Sequence, residues 1–133
     1  MHTASTFAVS DFEIGGWQPT VKTGVPFGEI TMVKTFAGDI VGKASTRFLG
    51  GLIEATSTGG YVAVEHFKGT IGGRTGTCVL LHMQTIADGG IGAMHLAIVP
   101  GSGTGDLTGI NGSGGIKVDA DGTHRLWLDY EMG

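Results

Sequence analysis

Short stretches of alternating apolar and polar residues run along this chain, and glycine-bearing turns interrupt them. Alternation with period two marks strands that bury one face. Eight such stretches stand out: 7–13, 29–36 (EITMVKTF), 40–49 (IVGKASTRFL), 61–68 (YVAVEHFK), 77–86 (TCVLLHMQTI), 91–99 (IGAMHLAIV), 110–119 and 124–132. Turn signals join them at Gly38-Asp39, Asp88-Gly89-Gly90 and Asp121-Gly122, and Gly69 to Gly76 reads as the connection of the fourth and fifth. No window of a dozen residues keeps helical spacing free of glycine.

This pattern predicts an all-β fold. Hairpins that follow one another in chain order suit a closed antiparallel up-and-down β-barrel of about eight strands, because closure removes exposed edges. A barrel of that size is filled by its own side chains or holds one small ligand. The chain reads as a single domain, 1–133. Residues 1–27 give an N-terminal strand and a long loop, Gly15 to Phe27, placed to cover one mouth; 28–132 give the barrel core.

Composition adds to this picture. With 133 residues and 41% hydrophobic residues, the chain can bury a core. The 26 glycines serve the turns. The net charge of −4, with no basic run, argues against a nucleic-acid partner. Apolar runs are too short for a membrane helix, and the start lacks the pattern of a signal peptide. The single Cys78 cannot form an internal disulfide, which fits a cytoplasmic location.

Candidate chemistry comes from the strand faces. Tyr61, Ala63, Glu65 and Phe67 share one face of the fourth strand; Cys78, Leu80, His82, Gln84 and Ile86 share one face of the fifth. If Phe67 and Leu80 point inward, Glu65 and His82 do too, and a turn near Gly72-Gly73 sets them about opposite each other. A carboxylate beside an imidazole is an acid–base pair; the plainer reading is a buried structural contact. Both faces of these strands are partly apolar, so a partner subunit or loops are expected to cover the outer one. Tyr61, Phe67, Cys78, Leu80, Gln84 and Tyr130 are the candidates to line the lumen. Lys34, Arg47, Asp129 and Tyr130 read as surface or rim groups rather than catalytic ones, and Trp17 and Trp127 as core or interface aromatics.

Other motifs fall away. Val99-Pro100-Gly101-Ser102-Gly103-Thr104-Gly105 lacks both the lysine of a Walker loop and a following helix, and reads as a structural loop. Ser102 is not in a Gly-x-Ser-x-Gly elbow. His66, His82, His95 and His124 lie on four strands without short-range ligand spacing, so no metal and no cofactor are expected. Cys78 and His82 are four residues apart on one strand, about 13 Å at 3.3 Å per residue, too far for a Cys–His nucleophile pair.

Three blocks are together more specific than glycine bias explains. They are Lys34 to Gly42 (KTFAGDIVG), Glu65 to Thr77 (EHFKGTIGGRTGT) and Val99 to Gly109 (VPGSGTGDLTG); Leu128-Asp129-Tyr130 closes the set. Over residues 28–132 the chain resembles a family of small bacterial proteins of unknown function, itself similar in fold to the allene oxide cyclase barrels. Cys78 and Leu81 stand where that family's pattern has Phe and Gln, and the smaller Cys78 leaves a roomier lumen. The resemblance implies an antiparallel barrel with a small apolar lumen, usually in a homo-oligomer. The expected function is binding of a hydrophobic small molecule, with cyclase or isomerase chemistry if it is an enzyme. The alternative is a non-enzymatic structural or carrier barrel whose lumen its own side chains fill.

Overall fold

A computed structural model describes all 133 residues. Eight strands follow in chain order: β1 (His2–Ile14), β2 (Gly28–Gly38), β3 (Ile40–Ile53), β4 (Thr58–Ile71), β5 (Arg74–Ala87), β6 (Gly90–Ile98), β7 (Ile110–Val118) and β8 (His124–Met132). The only helical element is a 3-10 turn, Gly105–Leu107. No helix is long and apolar enough to cross a membrane. Each strand pairs antiparallel with the next, and β1 also pairs with β8, so the sheet forms a ring. The alternating pattern thus located all eight strands, because each buries one row of side chains inside the ring.

The strands overrun the expected turns. Gly69 to Gly76 is not a loop: β4 and β5 stay paired to Ile71 and Arg74. Only Gly72 and Gly73 turn, with φ of 56° and 84°. Two consecutive positive-φ residues form the turn that matches strand twist. This turn pairs Glu65 with Leu80 and Ala63 with His82. Glu65 and His82 are therefore diagonal neighbours, not directly opposite.

The ring has two unlike ends. Near the Gly72-Gly73 turn, fifteen buried residues form the core, Phe36, Phe67, Cys78, Leu80, Leu128 and Tyr130 among them. The 99–109 loop closes this end, and its Leu107 is fully buried against the core. That segment is a structural loop, as its sequence indicates. Tyr130 is buried, so it is a core residue and not a rim group. Asp129 and Arg47 are exposed. Trp17 and Trp127 lie outside the core: Trp17 is exposed, and Trp127 is half-buried with its ring against Gly115.

At the other end, the loop after β1 touches β3 where Pro26 passes Gly51. It forms a recess of its own, about 640 Å³, lined by Trp17, Val21 and Phe27 among others. A separate recess at the strand ends has no residue of this loop in its lining. The loop flanks that recess instead of covering it.

Close approach explains two further glycines. Gly42 and Gly69 face each other across β3 and β4. A Cβ on Gly69 would lie 2.1 Å from the Val41 carbonyl oxygen and 2.7 Å from the Gly42 Cα. Backbone cannot yield as a side-chain tip can. Gly69→Val is expected to cost about 2–4 kcal/mol. Gly73→Ala, whose Cβ would meet nothing within 4 Å, is expected to cost about 1 kcal/mol for its positive φ alone. Urea unfolding midpoints of the two variants check the difference.

Candidate functional site

Four adjacent strands each place one polar side chain inside the ring: Lys34 (β2), Thr46 (β3), Glu65 (β4) and His82 (β5). All four are buried, and Glu65 is 0% exposed. Glu65 is the hub. Lys34 Nζ lies 2.9 Å from its Oε1, and Thr46 Oγ1 donates to the same oxygen at 2.8 Å. His82 Nε2 lies 3.0 Å from Oε2. That last contact is at ion-pair distance but badly aligned, so neither atom makes a well-formed hydrogen bond.

Small residues allow this convergence. Lys34 pairs across β2–β3 with Ala44, and His82 pairs across β4–β5 with Ala63. Neither alanine fills the space through which the longer side chain leans toward Glu65. The Lys34 ammonium also sits over the Phe7 ring, 4.5 Å from its centroid, and 5.5 Å from that of Phe48. Cation–π attraction partly replaces the water it has lost.

A reading of Lys34 as a rim residue is thus wrong. Its row on β2 also carries Met32 and Phe36; that parity was a sequence signal that Lys34 points inward. Thr46 and Phe48 were missed too, although they share a face with the inward Ala44.

The polar string continues toward the open end. His82 Nδ1 lies 3.2 Å from the Tyr61 hydroxyl, which lies 3.3 Å from Gln84 Oε1. Phe48 packs on both the Tyr61 and His82 rings. Tyr61 and Gln84 are half-buried. Beyond them is a recess of about 290 Å³, lined by Ile30, Phe48, Leu52, Tyr61, Ile86 and glycine backbone. Of the expected lumen residues, Tyr61 and Gln84 lie at this end. Phe67, Cys78, Leu80 and Tyr130 pack into the core below the charges.

Burial alone would raise the Glu65 pKa, but the His82 contact and the Lys34 charge outweigh it and hold the carboxyl at about 2. Burial, reinforced by the Glu65 charge, pushes Tyr61 up to about 12, so its hydroxyl keeps its proton throughout the neutral range. Burial also pushes the Cys78 thiol up to about 11, which makes it a poor nucleophile. No three His, Cys, Asp or Glu side chains converge as a metal site would need.

The family model for a protein of unknown function, DUF3224, matches residues 3–130. The chain belongs to the DUF3224 family. A crystal structure of a DUF3224 protein of unknown function from Shewanella oneidensis MR-1 superposes with a TM-score of 0.89 and 29% sequence identity, over 100% of this chain and 97% of that one. No curated protein matches the chain significantly. The DUF3224 match extends the recognised region back to β1, beyond the 28–132 in which the sequence blocks lie. None of these matches carries the allene oxide cyclase likeness or an activity.

The buried charges of this DUF3224 chain have measurable consequences. The folded pKa of Glu65 lies below its ordinary 4.5, so its contribution to stability is complete above that value and is lost as pH falls toward 2. Glu65→Leu leaves the Lys34 ammonium buried without its partner and is expected to cost about 3–5 kcal/mol. The double variant Lys34→Met with Glu65→Leu is expected to recover most of that loss and to flatten the acid limb. Chemical unfolding between pH 2.5 and 7 checks both statements.

Proposed function

We propose that this protein binds a hydrophobic small molecule in the recess at Tyr61 and moves a proton on it, in a cyclase- or isomerase-type reaction. One observation supports this above the others. A row of close polar contacts runs from the fully buried Glu65, at 3.0 Å from His82 Nε2, through His82 to the Tyr61 hydroxyl, and it ends at an apolar recess.

The division of labour follows from burial. Glu65 and His82 have no exposed side-chain surface, so they act through Tyr61 and are positioning residues. Tyr61 touches the recess. It can accept a proton from the ligand while passing its own to His82 Nδ1, and the reverse transfer returns the proton to a second position on the ligand. Glu65 steadies the charge that His82 gains. The recess walls hold the ligand in one conformer, which favours ring closure or rearrangement. This class is also the one expected if the family's fold is similar to that of the allene oxide cyclase barrels. Val62, Val64 and Leu81 expose apolar surface on the outer face of β4 and β5, in keeping with a homo-oligomer.

A second reading has its own support. The Lys34–Glu65 contact neutralises both buried charges, and packed side chains fill the core end of the ring. On that reading the polar cluster is structural and the protein is a carrier or scaffold.

Incubation with a panel of hydrophobic metabolites in D₂O separates the two. Solvent deuterium should appear at carbon in at least one bound compound, and His82→Ala should slow its uptake by about 100-fold or more. Thermal stabilisation by a ligand without deuterium uptake in any compound would leave the carrier reading.

A further inference from the structure

The ring is not paired all the way round. β5 and β6 stay paired back to Gly90, and β7 and β8 stay paired out to Val118. Between β6 and β7, pairing covers only Leu96–Ile98 against Gly112–Gly114. Residues 90–95 and 115–118 have no partner across this seam, which lies toward the end of the ring that carries Tyr61.

Main-chain direction alternates along a strand. The Val99 N–H donates to the Val79 carbonyl on β5. Ala97 and His95 therefore face β5 too, and Met94 turns its N–H and C=O to the seam. The Asp119 N–H donates to the Thr123 carbonyl across the β7–β8 turn. Lys117 and Gly115 therefore face β8, and Ile116 and Val118 face the seam. Both lips carry unpaired main-chain donors and acceptors, the features of an exposed sheet edge. On the inner side the lips are apolar: Met94 and Ile116 pack against the core, and Val118 follows Ile116 on the same face.

Donors and acceptors at strand spacing beside an apolar row suit an extended polypeptide, which adds a strand by main-chain pairing. Charge narrows the partner. Asp88 in the β5–β6 turn and Asp121 in the β7–β8 turn flank the unpaired end of the seam, and both are exposed. The nearby Lys117 and Arg125 are engaged by Asp119. Two free acids there repel the same edge of a second copy and attract a basic group.

We infer that the β6–β7 seam docks an extended segment of another polypeptide, apolar on its inward row and basic where it leaves the ring. The segment pairs with the β7 lip, which is regular, whereas the β5–β6 register shifts between Gln84 and Ile86. No residue of β6 or β7 lines the recess at Tyr61, so this site does not depend on that one.

The probe is the peptide Ac-KVTVTVK-amide, with a lysine at each end to serve either strand direction. Amide exchange by ¹H–¹⁵N NMR and calorimetric titration of the intact protein at pH 7 read its binding. In the free protein the Met94, Ile116 and Val118 amides should exchange quickly, and the peptide should slow Ile116 and Val118 by about tenfold or more. N-methylation of the peptide at all valines or at all threonines should abolish binding in one case only, because alternate residues face β7. Val118→Pro removes a seam donor and no ladder bond, and should weaken the peptide about tenfold. The acid-capped Ac-EVTVTVE-amide should bind about threefold more weakly or worse. Slow exchange of the three amides in the free protein would overturn the open seam, and protection that grows with protein concentration alone would assign it to a second copy instead. Failure of the peptide to bind would overturn the docking site. Equal binding of both methylated peptides would overturn main-chain pairing, whether or not Val118→Pro folds. Equal binding of the acid-capped peptide would overturn the basic character of the partner.

Discussion

A carboxylate with no exposed surface organises the interior of this ring. Glu65 stays ionised only because Lys34, Thr46 and His82 reach it from three different strands. Side chains alternate faces along a strand, so a one-residue slip of β2, β3 or β5 would send its partner outside. Hydrophobic burial holds the ring together but distinguishes poorly between registers whose two faces are both apolar, as they are on β4 and β5. The charge cluster makes that distinction. An unpartnered charge in this interior costs far more than a misplaced valine.

The same cluster divides the ring along its axis. On one side, Phe36, Phe67, Cys78, Leu80 and Tyr130 pack as a conventional core, and Leu107 closes the end. On the other, Phe48, Tyr61 and Ile86 leave a recess. His82 touches both the buried carboxylate and the half-buried phenol, so it links the charged interior to the residue that lines the recess. The proposed function and the strand register therefore rest on the same residues.

The strands were legible in the sequence because alternation and turn glycines are local signals. The Glu65–His82 contact was legible in part: parity put both inside, and the two-residue turn at Gly72-Gly73 sets their diagonal offset. Lys34 was not recognised. Its partner sits two strands away, and the space it crosses depends on the alanine at position 44. A lysine in a strand reads as exposed until something is known to neutralise it. The lumen residues Phe67, Cys78, Leu80 and Tyr130 were placed on the correct face, but face alone does not say at which depth the packing ends. That depth follows from the volumes of side chains on all eight strands together.

The central claim is that the Glu65 carboxylate, 3.0 Å from His82 Nε2, draws the imidazole proton to that nitrogen, where a bare lone pair would oppose the anion, and so makes Nδ1 the acceptor for Tyr61. Long-range ¹H–¹⁵N NMR of the imidazole at neutral pH tests this most directly, with His82→Gln used to assign the signal. The account requires a protonated Nε2 and an Nδ1 with the shift of a hydrogen-bonded acceptor that moves in Tyr61→Phe. An imidazole protonated on Nδ1, with Nε2 bare against the carboxylate, would contradict it.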